Sequence, residues 1–307
     1  MIANGGEFAR LENCFFAGKR DQTAAMTVTA QERAAVLNGV KLEAASALMG
    51  VFCAVVFSPE HMQLVSGAAS ERRRFIDCAI SQSSPSFAVT LYRFNKILQQ
   101  RNTLLKSIQS GQTAQSALDV WDISIASYAA AVAVRRAGFI ESMSGIAERL
   151  YDGISTGREH LTLKYSCGFF SGDMKTTEQR YLELLTESRQ TDISLGYTVR
   201  GPQRDDMELQ LDDRELRIYG SQGQKRSAVL SLKLAEAELL SKLLEEQPVA
   251  LLDDVMSELD ASRQDYLLNK LEDWQVFITC CDPSPLRLLN KGSVFGMSAG
   301  RLETQTA

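Results

Sequence analysis

Histidine is nearly absent. His61 and His160 are the only two in 307 residues. No C-x-x-C pair occurs among Cys14, Cys53, Cys78, Cys167, Cys280 and Cys281, so a zinc site has no ligand set to draw on. Isolated thiols of this kind suit a reducing cytosol. There is no apolar run of about eighteen residues and no basic-then-apolar leader, so no membrane span is expected and the chain reads as cytoplasmic. No G-x-G-x-x-G follows an apolar run, and no histidine lies near a nucleophile motif. These absences exclude the common redox and hydrolase signatures. Basic charge is not in excess either: 33 Lys+Arg stand against 38 Asp+Glu, a net charge of -5. That argues against a uniformly basic DNA-coating protein and leaves room for a local patch. Internal repeats and low-complexity linkers are missing as well.

What is present supports a packed core, since 45% of the residues are hydrophobic. Residues 8–57 are strand-rich, with an Asn38-Gly39 pair of the kind that turns a hairpin. Residues 51–57 form a short apolar run closed by Ser58-Pro59, which reads as a buried strand leaving a sheet. From Ser70 to about Leu150 the pattern is helical, broken at Gly111 and rich in alanine toward its end. Strand character returns near residues 161–165, a helix near 177–189 follows, and after Gly196 strands and helices alternate. That alternation is the α/β pattern.

Two segments carry chemistry. Gly220-Ser221-Gln222-Gly223-Gln224-Lys225-Arg226 opens a helix reaching about Glu246. Ser221 and Gln224 have capping-box spacing, and the helix tip offers free N–H groups and a positive dipole end to a phosphate. Lys225 adds charge. Val249 to Leu252 is apolar at every position, as in a strand covered on both faces, and it ends in Asp253-Asp254. In an α/β sheet ligands bind at the carboxyl ends of strands. Asp253 could hold Mg²⁺, and Asp254 could orient or deprotonate water. Ser257-Glu258-Leu259-Asp260 leads into the next helix with Asp260 as N-cap. Thr279 ends the following apolar strand, where it could sense a terminal phosphate. Taken singly, each has a plain structural reading: a capped helix, a solvated acidic turn, a strand-end threonine.

Turn, helix, acidic strand end, E-L-D turn, helix and strand occur here in the order used by ABC-type and SMC-type ATPase heads. With Val55-Val56-Phe57-Ser58-Pro59-Glu60, Arg72-Arg73-Arg74-Phe75-Ile76-Asp77, residues 92–102 and Gly201-Pro202-Gln203-Arg204-Asp205-Asp206, the chain resembles the bacterial RecF family from about Gly6 to Gly300. Gln203 stands where that family has histidine. The resemblance implies an α/β P-loop NTPase head with a helical second lobe inserted. Residues 1–65 and 193–307 would form the ATPase lobe, and residues 66–192 the helical lobe. It further implies ATP and Mg²⁺ as cofactors and an ATP-dependent homodimer. The implied DNA partner is single-stranded or gapped duplex, and RecO and RecR are implied partners in loading recombinase. By position, Ser221, Gly223 and Gln224 are the signature facing the partner subunit's ATP, with Lys225 beside it. Asp253 is the Walker B acid, Asp254 the catalytic carboxylate, and Ser257 and Asp260 the D-loop. A coiled-coil, cohesin-like head is disfavoured because the helical stretch lacks sustained heptads.

For DNA, Arg72, Arg73, Arg74, Lys96, Arg101, Arg135, Arg136 and Arg204 are the candidate phosphate ligands. The alternative for each is a solvated face or an internal ion pair. No aromatic platform interleaved with basic residues stands out along the sequence.

The family's G-x-x-x-x-G-K-[ST] loop does not occur. The one Gly-Lys pair, Gly18-Lys19, is followed by Arg20 and lacks the earlier glycine. The opening residues resemble family sequence downstream of that loop, so the head is expected to be incomplete at its front. The alternative function is then a catalytically inactive DNA- or partner-binding module. The isolated chain is expected to be poorly stable and to hydrolyse ATP negligibly. A phosphate-release assay that finds turnover abolished by Asp254→Asn would contradict this.

Overall fold

The computed structural model describes residues 2–155, 157, 159–167, 172–281, 292–298 and 301–304. The chain opens with an antiparallel meander of β1 (Phe8–Ala17), β2 (Arg20–Thr29), β3 (Arg33–Leu37) and β4 (Val40–Lys41). Its first and last hairpins are made by two-residue turns with positive φ at both positions. Gly18 and Lys19 stand at +60° and +61°, and Asn38 and Gly39 at +50° and +80°. These are the values that match the right-handed twist of the flanking strands. The Gly-Lys pair is therefore a hairpin tip, and Gly18 N–H donates to Glu246 Oε1 at 2.7 Å.

β5 (Ala54–Phe57) leads through α1 (Gln63–Ser66) into the helices α2 (Ala69–Ser83), α3 (Pro85–Gln109) and α4 (Leu118–Ser155). Pro85 sits in the first turn of α3, where its missing N–H costs nothing. α4 has 38 residues and runs through the centre of the helical region, packed by α3, α5, α7 and β6. Together with the turn before it, the stretch Gln115–Ser155 is long and apolar enough to span a bilayer by composition. Here Ala126, Ala129, Ala130, Val132 and Ala133 are instead buried against protein.

β6 (Leu161–Ser166), α5 (Met174–Leu195), β7 (Asp206–Leu211) and β8 (Arg214–Glu215) follow, then α6 (Leu216–Tyr219) and α7 (Gln222–Leu244). β6, β7 and β8 form a separate antiparallel sheet. The α/β alternation expected from Gly196 onward therefore begins only at α7. β9 (Val249–Asp253), α8 (Ala261–Lys270) and β10 (Val276–Thr279) complete it, and a hairpin of β11 (Phe295–Ser298) and β12 (Arg301–Thr304) comes last. β10, β9 and β5 pair in parallel in that order. α7 is buried on nearly every side, including Ser227, Ser231, Lys233 and Glu236. It is wedged between α4 and the parallel sheet, which explains why it shows no clean amphipathic stripe. A single hydrophobic cluster runs from Val55 through α4 and α7 to Leu271.

Among the described residues the parallel sheet is covered more fully on one face than on the other. Val55, Ala250, Phe57 and Leu252 are buried. The alternating residues Val56 and Phe277 are 40% and 57% exposed. Val249 and Leu251 of β9 are half-buried, so this face is only partly covered among the described residues, short of the two-sided burial expected from the sequence.

Buried guanidinium groups hold the helical region to the segment before β7. Arg101, fully buried, donates to Asp122 and Asp192 at 2.8 Å each and to Thr198 Oγ1 at 2.7 Å. Arg136 donates to both oxygens of Asp77 from Nε and Nη2 at 2.8 Å each and to Pro202 O from Nη1 at 2.6 Å. Arg72 grips both oxygens of Asp206 at 2.7 Å, and Arg73 reaches Asp205 O at 2.7 Å. Asp205 accepts a short hydrogen bond from Tyr165. Burial pushes the Asp205 carboxyl up to about 6, against the pull of Tyr165, Arg136 and Arg73.

Two outcomes follow from this network. Arg101→Ala strands buried carboxylates and should cost about 3–5 kcal/mol in urea denaturation. Arg93→Ala on the exposed face of the same helix should stay within about 0.5 kcal/mol. For Asp205 the folded state holds its proton more tightly than the unfolded one. Its contribution is therefore favourable at low pH and is lost as pH rises through about 6. Asp205→Asn should gain on the wild type by up to about 1.4 kcal/mol per pH unit between roughly pH 4 and 6. A stability gap between the two that does not change with pH would contradict that assignment.

Candidate functional site

Strand alternation positions the acids. Leu251 and Asp253 share a face of β9, and Phe277 and Thr279 share the same face of β10, because Leu251 pairs with Phe277 and Asp253 with Thr279. Asp253 thus projects on the open face of the sheet, at its carboxyl end, and is exposed. Its Oδ1 accepts the Thr279 hydroxyl at 2.6 Å. The same Oγ1 accepts Asp254 N–H at 3.2 Å, and Thr279 O accepts it at 3.1 Å. Thr279 therefore joins both acids. Asp254 turns the chain at φ +52°, a left-handed conformation that aspartate tolerates better than most residues. Ser257 Oγ then donates to Asp254 O at 2.8 Å and lies 3.3 Å from Oδ1. Neither carboxylate is closed into an internal ion pair among the described residues.

The tip of α7 forms as its residues dictate. Ser221 N–H donates to Gln224 Oε1 at 2.7 Å, and Gln224 N–H donates to Ser221 Oγ at 3.3 Å, a reciprocal capping box. The first-turn N–H groups beyond that pair have no partner within the helix and face its open end. Gln224 is held from behind as well. Its Nε2 donates to Glu159 Oε1 at 2.6 Å, and Tyr151 donates to Glu159 Oε2 at 2.7 Å. Beside the turn lies a polar recess of about 320 Å³ lined by Asp212, Arg214, Glu215, Tyr219, Gly220 and Gln224. Lys225 is half-buried on the first turn.

The two motifs meet through α8. Asp260 caps that helix by accepting Arg263 N–H at 3.0 Å, and this bond, with the Arg263 charge, holds its carboxyl below the usual range. The Arg263 guanidinium pairs with Asp260, donates to Ser227 Oγ at 2.9 Å and reaches Gly223 O at 3.3 Å. Arg226 and Glu258 pair at 2.9 Å. The signature turn and the turn after the acids are thus joined by two arginine bridges. Ser257 and Asp260 are exposed on that junction.

Sequence reasoning missed Arg263, Glu159 and the Arg226–Glu258 pair. Arg263 had a signal, since it stands three residues after an N-cap aspartate. Glu159 had none, because it lies in a connection between α4 and β6 and meets Gln224 only in the fold.

The DNA candidates divide sharply. Arg101 and Arg72 are buried and engaged by carboxylates, as is Arg136, so the reading of Arg72 and Arg101 as phosphate ligands is corrected. The desolvated guanidinium groups have acids inside the fold and no path to solvent. Arg73 is half-buried on Asp205 O. Arg74 and Arg204 are exposed, with Arg204 lying 5.4 Å from the Tyr197 ring centre. Gln203 donates to Arg200 O at 3.0 Å inside the same loop.

No protein-family model matches the chain. Among curated proteins, a DNA replication and repair protein RecF from Ruminiclostridium cellulolyticum is 45% identical over 253 residues, covering 81% of this chain and 68% of the relative. One from Heliobacterium modesticaldum is 38% identical over 278 residues, covering 89% and 74%. A solved structure of the recombination mediator protein RecF with ATP superposes with a TM-score of 0.90 at 30% identity, covering 98% of this chain and 80% of that one. A second, described as RecF-ATPrS, agrees equally well, with a TM-score of 0.90. Sequence relatives of this closeness and a superposition of this extent agree with the signature turn and the paired acids: the chain belongs to the RecF family of DNA replication and repair proteins.

Proposed function

We propose that this chain is a cytoplasmic DNA-repair protein in which ATP, sandwiched between two subunits, controls assembly on DNA. The observation that carries the proposal is the junction of the α7 tip with the turn after β9, held by Arg263 and by Arg226–Glu258. Ser221 and the first-turn N–H groups would meet the terminal phosphates of a nucleotide bound by the partner subunit. Gly223 lets the backbone approach, Gln224 keeps the turn in shape, and Lys225 supplies charge. The polar recess beside Tyr219 has room for part of the same nucleotide.

The donor set fits a magnesium nucleotide better than a free ion. No cluster of three metal-capable side chains exists among the described residues. Mg²⁺ is commonly held by one or two carboxylates together with substrate phosphates and water, and Asp253 offers such a carboxylate, oriented by Thr279. Bound there, the ion would supply charge neutralisation at the phosphates. Asp254 would hold a water, and the exposed Ser257 and Asp260 would face the other subunit. These 307 residues contain no G-x-x-x-x-G-K-[ST] loop. In a sandwich of this kind the signature turn faces a triphosphate cradled by the subunit opposite. DNA at gaps and single-strand junctions, with RecO and RecR as partners in recombinase loading, completes the reading by family.

Mixing this chain with a RecF relative that carries its own phosphate loop tests the idea. Light scattering should find an ATP-dependent mixed dimer, and Ser221→Arg in this chain should reduce that association at least about tenfold, the cost of one lost phosphate contact of roughly 1.4 kcal/mol or more. Pairing that ignores both nucleotide and Ser221→Arg would overturn the proposal.

A further inference from the structure

α3 contains no aspartate or glutamate in 25 residues. Its inner side is fixed. Arg101 is locked between Asp122 and Asp192, and Asn102 Oδ1 accepts both the N–H and the hydroxyl of Thr198 at 2.8 Å. Its outer side is a continuous exposed line, because Tyr92, Lys96, Gln99 and Thr103 recur at three- and four-residue spacing. Arg93 and Lys106 stand to either side of that line and are exposed. The helix is about 37 Å long at 1.5 Å per residue, close to one turn of a nucleic-acid backbone.

The Asn102–Thr198 bonds bring a second segment against this helix. Tyr197, Arg200 and Arg204 are exposed there, and residues 193–204 contain no acid. Tyr92 is 65% and Tyr197 40% exposed. None of these cations is in an ion pair among the described residues, whereas Asp122 of α4 and Asp192 of α5 are buried and held by Arg101 and Arg189, and the exposed Asp119 is paired with Arg189. The fold thus assembles what the linear sequence does not show: cations without an ion pair among the described residues, amide and hydroxyl side chains and two solvent-facing aromatic rings, on two adjoining segments that themselves carry no acid.

We propose that this surface binds a single-stranded stretch of DNA, with phosphates on Lys96, Arg200 and their neighbours and unpaired bases on Tyr92 and Tyr197. It rests on the DNA reading given under the proposed function. Cations and amides serve any phosphate backbone. Exposed rings need bases out of a duplex, and stacking of this kind tolerates any sequence. The cation already lying over Tyr197 leaves the ring's other face for a base.

Fluorescence anisotropy with labelled oligothymidylate and with a blunt duplex of equal length tests this on the full chain. The double variant Lys96→Glu/Arg200→Glu should weaken oligothymidylate binding more than about tenfold and lower the salt slope by roughly 1.4, at about 0.7 per phosphate. Tyr197→Ala should weaken the single strand about tenfold and leave the duplex unchanged, while Tyr197→Phe retains binding. Melting curves confirm that these surface variants stay folded, and Arg33→Glu on the distant meander serves as the charge control. If the wild type binds DNA and the variants bind equally well, this surface is excluded and the DNA reading stands. If Tyr197→Ala weakens duplex and single strand alike, the single-strand assignment fails. Equal binding of polyglutamate would mark a site for acidic protein and overturn the proposal. A wild type that binds neither DNA removes both the surface and the reading it rests on.

Discussion

Guanidinium groups taken out of water are the constraint on which the rest of this structure depends. Arg101, Arg136 and Arg72 each meet a carboxylate at 2.7–2.8 Å. Burying such charges is costly unless every partner is in place. The partners come from far along the chain: Asp192 and Thr198 for Arg101, Asp206 for Arg72, the Pro202 carbonyl for Arg136. Satisfying them fixes the segment from Tyr197 to Asp206 against α2, α3 and α4. That segment leads directly into β7, and β7 into the short elements that deliver Ser221 to the tip of α7. The position of the signature turn is therefore tied to ion pairs buried in the helical region.

At the site itself, arginine recurs for a different reason. Arg263 must reach a hydroxyl, a carbonyl and a carboxylate at once, and only a planar fork with several donors does so. A lysine in its place would hold one partner and release the others. The bond to Gly223 O packs the guanidinium closely over that glycine: a Cβ there would lie 3.5 Å from Arg263 Nη2, in ordinary contact with it. Thr279 does comparable work for the acids with a single oxygen, donating to Asp253 while accepting from the Asp254 backbone. One hydroxyl thus sets both the carboxylate on the open sheet face and the left-handed turn that follows it.

Local chemistry was legible in the sequence, and distant pairing was not. The capping box of Ser221 and Gln224, the cap at Asp260 and the Asn38-Gly39 turn each depend on residues a few positions apart, and each formed as expected. β7 was misassigned to the α/β run because its alternation is the same in either kind of sheet. Only its antiparallel register with β6, Leu161 to Leu211, distinguishes them. Val249 to Leu252 read as doubly covered because apolar composition reports what a strand can bury, not what lies over it. Arg72 and Arg101 were open to reading as surface cations because nothing local marks an arginine whose acids stand from about twenty to more than a hundred residues away.

The same sorting of charge explains why net charge misleads here. A value of -5 argues against a nucleic-acid surface only if the acids are spread evenly. They are not. Asp122, Asp192 and Asp206 are spent on internal arginines, and α5 carries Glu178, Glu183 and Glu187 toward solvent, partly neutralised by Arg180. α3, packed beside it, has no acid to contribute. A potential at a surface depends on the charges within about a Debye length, roughly 8 Å at physiological salt. On the outer face of α3 the helix itself contributes Arg93 and Lys96 and no acid, which the net charge of the chain does not reveal.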